Sequence, residues 1–380
     1  MNPLEKLAEL QFKYAYLFIA ATIIVTILIG IGIANTHLQT DLNKEMPQDL
    51  DVVKLNNKLS DTFGGQDTIF VLVSIDRQCE IENSDKDIRS KDVMNLLSEI
   101  RDVMVQDNSV NSVTSVVSIF DAMGGIPQSD SGVKTILESV PSSTAFFNRD
   151  KSATFMVISG SIGSSEEKIN NFVSKANRDI DGIGKPACVK VVVTGSPPLR
   201  AILIEALQHD MVLTISIAAL LIFLLIAVVK RSAGNSAIVM APLMIGLVWT
   251  LGIVGWLGMS LSIATAGLGA MILGLGTEFG IFLLERYKEE RDKGFDKEKS
   301  LKIALPSVGY GIIGSGLTTI IGFGVLVISP MPMLQNLGKM LALGIFCILV
   351  ATIFAAPSIM LAEEDLSESL VRRIRGGGKK

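Results

Sequence analysis

The sequence predicts an α-helical polytopic membrane protein with six transmembrane helices. An extracytoplasmic α+β domain of ferredoxin-like order is expected between the first span and the second. Three observations carry this prediction. Of the 380 residues, 49% are hydrophobic and only 19% are charged, below the roughly 25% charged of soluble domains. Six segments reach the about 20 apolar residues that a spanning helix needs. The long stretch between the first two carries strand and helix periodicities of its own.

The six spans are approximately Tyr14–Ala34, Met211–Val229, Ala237–Leu257, Leu261–Leu284, Pro306–Ile328 and Lys339–Leu361. The first is too long for the apolar core of a cleaved signal and has no small-x-small cleavage site after it, so it reads as a retained anchor. Basic residues in loops mark the cytoplasmic side. Lys230 and Arg231 follow span two, seven basic residues from Arg286 to Lys302 follow span four, and Arg372, Arg373, Arg375, Lys379 and Lys380 form a basic tail. The turn "GMS" after span three has no charge. Both termini are therefore expected in the cytoplasm and residues 35–207 outside. The expected division is 1–34 for the N-terminus and first span, 35–207 for the outer domain, 208–361 for spans two to six, and 362–380 for the basic tail.

In the outer segment, "TIFVLVSID" reads as a strand and "DIRSKDVMNLLSEIRDVMVQ" as an amphipathic helix. "SVNSVTSVVSIF" reads as a second strand. A loop with Gly124, Gly125 and Pro127 and a short helix precede "SATFMVISGS", a third strand. "SSEEKINNFVSKANRDI" is a second helix with Ser164 or Ser165 as its cap, and "CVKVVVTG" a fourth strand. The order β-α-β-β-α-β is the ferredoxin-like one. "QDLDVVKLNNKLSDTFGG" predicts a further helix ending at Gly64. "TGSPPLRAILIEALQHD" predicts a helix capped by Ser196, with its prolines in the first turn, running into span two with little break.

The charge pattern excludes several functions. Residues 35–207 hold 24 acidic and 17 basic side chains, and the remainder 14 and 17. An acidic exterior argues against nucleic acid, which calls for a basic stripe. There is no CxxC and no Cys/His cluster, so neither a metal nor a cofactor is expected. Cys79 and Cys188 share the outer segment and could pair, but spacing alone is weak evidence for a bridge, and two free or buried thiols are the favoured reading. His209 beside Asp210 reads as a solvated pair at the start of span two. "GYGIIG" (Gly309, Gly311, Gly314) has the dinucleotide spacing but lies inside span five, without the strand that such a motif follows. "ERYKEERDKGFDKEKSLK" pairs Lys288 with Asp292 and Glu289 with Lys293 at i,i+4, as a solvated helix does. No catalytic set is visible, and no enzymatic activity is expected.

Within the spans stands one carboxylate, Glu278, in "GLGTEFG"; Lys339 marks the outer edge of span six. Glu278 lies seven residues from Glu285, about 10 Å into the membrane. A charge at that depth costs on the order of 2–3 kcal/mol, and such residues mark ion or substrate pathways. Glu278 is expected at a helix interface or a water-filled path. Gly267, Gly269, Gly274, Gly276 and Gly280 share its helix, and Gly311, Ser315, Thr318 and Gly322 form one small, hydroxyl-bearing face of span five. Ser315 is nearest in depth and is the expected hydrogen-bond partner, with Thr318 and Thr319 as further relay candidates. Gly274, Gly276, Gly280 and Gly311 are expected to pack the two helices around them. Glu278 is either a proton carrier or a pin that fixes this packing.

At these residues the chain resembles the resistance-nodulation-division superfamily, most closely its MmpL-like branch and the hydrophobe/amphiphile exporters. Patched, Dispatched and sterol-sensing proteins are more distant. The resemblance rests on "TDLNKEMPQDLDVVKLNNKLSDTFGGQDTIFVLV", "TGSPPL", "LGLGTEFGIFLLERYKEERDKG" and "ALPSVGYGIIGSGLTTIIGFGVLVISPMPMLQNLG". It implies a proton-driven transporter of lipids or other amphiphiles in the cell membrane. Because full-length relatives hold two such halves, it also implies a homodimer or higher homo-oligomer. The branch has Asp-Tyr in the fourth span where this chain has Glu278 and Phe279, so the acid is retained and the phenol is missing. Ser315, Thr318, Thr319, water or a second Glu278 across a symmetry axis would take the phenol's place. A Sec-type translocation accessory and a non-transporting lipid or sterol sensor are the alternatives.

Overall fold

The computed structural model describes residues 2–39, 42–63, 67–76, 79, 87–160, 162 and 166–376. The expected caps Ser164 and Ser165, the helix end at Gly64 and the tail residues Lys379 and Lys380 lie outside them. The chain divides into two units, Met1–Pro47 with Leu207–Lys380, and Gln48–Ala206.

The first unit opens with helix α1 (Pro3–Lys13) and span α2 (Ala15–Gly30), followed by strand β1 (His37–Leu38) and the short α3 (Leu42–Glu45). The sequence reading passed over α1, although its start is written in the residues. Asn2 accepts the Leu4 amide and Glu5 reaches back to the Asn2 amide, a reciprocal cap with Pro3 in the first turn. Leu4, Ala8 and Gln11, at i, i+4 and i+7, form its buried stripe.

The second unit holds α4 (Asp51–Phe63), β2 (Asp67–Ile75), α5 (Lys91–Val105), β3 (Val110–Thr114), α6 (Val117–Ala122), α7 (Asp130–Ser139), β4 (Ala153–Gly160), α8 (Glu166–Asp181) and β5 (Val189–Gly195). The antiparallel sheet has the order β3-β4-β2-β5, the ferredoxin-like one. Side chains alternate across the strands. Ile69, Val71, Val73, Met156 and Ile158 are buried with Leu97 and Ile100 of α5 and Ile169 and Phe172 of α8, whereas Phe70 and Leu72 stay exposed. The expected second strand stops at Thr114. Ser115 ends it, its hydroxyl accepting the Val117 amide and its carbonyl the Ser118 hydroxyl, and the chain turns into α6 to bury Phe120. Cys79 and Cys188 are disulfide-bonded, with their Cα atoms 5.6 Å apart. This corrects the reading as two thiols: the pair is 109 residues apart in sequence and adjacent only once the sheet has formed.

Gly195 closes β5 at φ +123°, and a Cβ there would sit 2.3 Å from the Thr68 carbonyl oxygen. The position therefore requires glycine on both counts. Helix α9 (Ser196–Lys230) begins at Ser196 itself, one residue earlier than a Ser196 cap would have it, and continues unbroken as span two. Near its start Arg200 pairs with Asp67 of β2, both nearly buried. His209 and Asp210 further along are a solvent-exposed pair 3.8 Å apart, as expected.

The first unit resumes with α10 (Ala233–Trp256), β6 (Ser260–Leu261), α11 (Leu268–Asp292), α12 (Lys297–Gly324), α13 (Pro332–Phe354) and α14 (Ala356–Gly376). Among the described residues six helices are long and apolar enough to cross a membrane: Ala15–Asn35, Ser196–Lys230, Ala233–Trp256, Ile263–Asp292, Lys297–Ile328 and Pro332–Phe354. Besides span two, three spans differ from expectation by well over a turn, the first being span four, which runs on to Asp292. Span five starts at Lys297, capped by Asp296, and carries Pro306 inside it, which a membrane helix tolerates where neighbours absorb the freed carbonyl. Span six runs from Pro332 to Phe354, because Pro332 sits in the first turn and the chain breaks at Ala355 before α14. Gln11 of α1 is buried at that break and donates to the carbonyls of Ile353 and Phe354, at 2.9 and 3.0 Å.

Spans α10, α11 and α13 form the packed centre of this unit, and α2 and α9 keep most of their apolar side chains exposed. Glycines set the closest approaches. A Cβ on Gly252 would meet the Ile29 carbonyl, and one on Gly246 would meet the Ile348 backbone.

Candidate functional site in the fourth and fifth spans

Glu278 sits near the middle of α11. The preceding turns bring Met271 and Leu275, and the next Phe282, onto the same outward stripe, at i−7, i−3 and i+4. All three are exposed, and so is Glu278. Its neighbour Phe279 points the other way and is 1% exposed, inside the bundle core. The helix thus buries its phenylalanine and presents its carboxylate.

Helix α12 runs antiparallel beside it. Ser315 Oγ donates to Glu278 Oε1 at 3.1 Å, the contact expected from depth. Eight residues further along α11 and eight earlier on α12, Arg286 Nε donates to Ser307 Oγ, also at 3.1 Å. The two bonds pin the helices at separate levels about 12 Å apart. The second was missed in sequence. Its signal is the common register, since 278 with 315 and 286 with 307 are successive rungs of one antiparallel pair.

The other candidates divide. Thr318 and Thr319 hydroxyls donate to the Ser315 carbonyl, at 2.8 and 3.0 Å, so they brace the α12 backbone rather than reach Glu278. Gly276 and Gly280 do permit close packing, but on the far side of α11. A Cβ on Gly276 would lie 2.7 Å from Ile348 and 2.9 Å from Leu243, and one on Gly280 3.1 Å from Val239. Gly274 and Gly311 face open space, as does Gly314. The expectation that all four glycines pack the helices around the carboxylate is corrected: two serve the bundle and two leave the outward face bare. The reason is angular, since Gly274 and Glu278 are four residues apart and share a face, whereas Gly276 lies about 200° from Glu278 around the helix.

Lys339 does not approach Glu278. Gly276 meets Ile348, and Gly344 meets Ile272, so α11 and α13 run parallel, 72 positions apart. Lys339 is thus level with Gly267, about 16 Å along the axis from Glu278.

From Ser315 a cleft of about 590 Å³ runs between α11 and α12 to Ser307, Glu285, Arg286 and Glu289. At its mouth the charges are matched. Lys230 pairs with Glu285 at 2.7 Å, Arg286 with Glu289 and Glu290 at 2.6 and 2.8 Å, and Lys293 with the same two at 2.8 Å each. The expected Glu289–Lys293 pair is present, but Lys288 reaches Asn235 instead of Asp292. Among the described residues no group of His, Cys, Asp or Glu is arranged to hold a metal ion.

The comparisons with known proteins follow the same lines. The model of the MMPL family matches residues 46–372. The membrane protein MJ1562 of Methanocaldococcus jannaschii is 32% identical over 379 residues, covering 98% of this chain and 97% of its own length. The siderophore exporter MmpL5 of Mycobacterium tuberculosis is 28% identical over 239 residues, 60% of this chain and 25% of MmpL5. The sulfolipid-1 exporter MmpL8 of the same organism is 30% identical over 94 residues, 25% of this chain and 9% of its own. The chain therefore matches one relative along its length and a quarter or less of the mycobacterial exporters. Six membrane helices, a ferredoxin-like unit between the first two and a family match spanning most of the sequence lead to one assignment: this multi-pass membrane protein belongs to the MMPL family.

Proposed function

We propose that the chain is a membrane transporter of hydrophobic or amphiphilic molecules, driven by protons that load and leave Glu278. The observation that carries this is a carboxylate at mid-span on an otherwise apolar outward face, held by one serine hydroxyl. An unshielded charge there costs about 2.5–3.5 kcal/mol. A group kept in spite of that cost has a use, or is covered in the working assembly. Membership of a family that includes a siderophore exporter and a sulfolipid exporter supports hydrophobic cargo.

The assembly we propose is a homodimer or higher homo-oligomer in which the two Glu278 side chains approach each other. In relatives of twice this length or more, one chain can supply both halves. The basic loops support an orientation with the termini in the cytoplasm and the Gln48–Ala206 unit outside. Helix α9, pinned to the sheet by Arg200 and Asp67 and continuous into the membrane, would carry motion between spans and outer unit.

The test uses the full chain in liposomes with pyranine inside and a labelled amphiphile, NBD-phosphatidylethanolamine, outside. Glu278→Gln keeps hydrogen bonding and removes titration. It is expected to abolish amphiphile-dependent proton flux, and flux at the wild-type rate refutes the proton-carrier role.

A further inference from the structure

Ser315, which donates to Glu278, is part of the lining of the cleft between α11 and α12, and this gives the cleft a use. We propose that it is the proton's route between Glu278 and the basic-loop side of the membrane, with Ser307 and Gly311 as its lining and Glu285 and Glu289 at its mouth. The inference rests on the proton-carrier reading of Glu278 and adds the path.

Three features carry it. Ser307, Gly311 and Ser315 recur every four residues and so share one stripe of α12; all three line the cleft. Two of them offer hydroxyls, and the third offers nothing, since a Cβ on Gly311 would meet no atom within 4 Å. The distance from Ser315 to Ser307 along the helix is about 12 Å, too far for direct transfer and suited to a short file of waters. At about 30 Å³ per water, 590 Å³ holds that file with room to spare.

The mouth is built to take a proton without admitting a salt ion. Its cations Arg286, Lys230 and Lys293 are each paired with carboxylates, and Glu290 behind Arg286 is buried. Arg286 also holds Ser307 Oγ through its Nε–H, and the Ser307 hydroxyl in turn donates to the Ala304 carbonyl at 2.9 Å, so Ser307 offers passing waters an oxygen of fixed position. In the releasing step the O–H bond of the protonated Glu278 breaks and a new bond forms to a cleft water. The electron pair stays on the carboxylate, which Ser315 then stabilises as donor. The excess proton passes along the waters to Glu285, Glu289 or bulk solvent.

The experiment plugs the cleft after folding. Gly311→Cys and Gly314→Cys are made in the full chain, reconstituted, and treated from either side with a charged, membrane-impermeant methanethiosulfonate. Gly314 is the control, because it faces the same open side one turn away but is not part of the lining. The expected result is that Gly311→Cys reacts from the basic-loop side and loses pyranine-detected proton flux at least tenfold on labelling, while labelled Gly314→Cys stays within twofold. No reaction at Gly311→Cys, reaction only from the opposite side, or equal loss in both variants overturns the inference. Flux that survives the plug but is lost in Glu278→Gln overturns the path and leaves the proton carrier standing. Flux that survives Glu278→Gln overturns the carrier, and the path with it.

Discussion

Gly274 and Gly276 are two residues apart on one helix, and their alanine variants separate the packed face from the bare one. A Cβ at Gly276 would lie 2.7 and 2.8 Å from Ile348 atoms and 2.9 Å from Leu243. All three contacts are too short to keep, so a side chain or a helix must move. Overpacking of this kind costs about 1–3 kcal/mol. A Cβ at Gly274 meets no atom within 4 Å and costs nothing in packing. The helical preference of alanine over glycine, about 1 kcal/mol, applies equally to both and cancels in the comparison. The gap between the variants is therefore the overpacking cost alone. It is read as a difference in melting temperature between Gly276→Ala and Gly274→Ala, measured in one detergent at one heating rate. At about 2–4 °C per kcal/mol for domains of 150–250 residues, and less for longer chains, Gly276→Ala should melt a few degrees lower. Equal melting, or Gly274→Ala the less stable, would refute the assignment of α11's faces and with it the outward position of Glu278.

Three further outcomes follow from the Gln48–Ala206 unit. The Lys175 ammonium beside Asp107, helped by the Ser109 amide, holds the Asp107 carboxyl below its usual range against the opposing effect of burial. A depressed acid contributes stability above its unfolded value, near 3.8, and loses it as pH falls through the folded value. Asp107→Asn should therefore lower stability at neutral pH and flatten the acid arm of the unfolding curve, the variant and wild type converging as pH falls below about 4, as followed by near-ultraviolet circular dichroism. Arg200→Leu removes the cation from a nearly buried Asp67 whose Oδ2 still accepts the Ile162 amide, so a loss of at most about 3–5 kcal/mol is expected, read as faster amide exchange in β2 and β5. Reduction of Cys79–Cys188, which spans 109 residues, removes about 4–5 kcal/mol on the chain-entropy account. The same exchange measurement with and without reductant tests it.

Much of the fold was legible because its signals are local and periodic. Apolar length marked the spans, and alternation marked β2, β4 and β5. The Glu278–Ser315 bond was legible too, since depth in an apolar helix can be counted from either end. What failed depended on contacts distant in sequence. Pro306 resembled a helix start, although neighbouring helices allow it mid-helix. Cys79 and Cys188 meet only through the sheet. Periodicity groups residues by face but cannot say which face finds a partner, so the glycines of α11 were read as one packing surface although the helix divides them. The cleft was invisible for the same reason. Its lining is divided between two helices, α11 and α12.

The most direct test of the central claim is proton flux in Glu278→Gln beside wild type, in the same liposomes with the same internal dye. The account predicts amphiphile-dependent acidification in wild type and a background trace in the variant, with equal protein incorporated and equal melting temperatures. A variant that matches wild type in flux would make Glu278 a packing group and contradict the account.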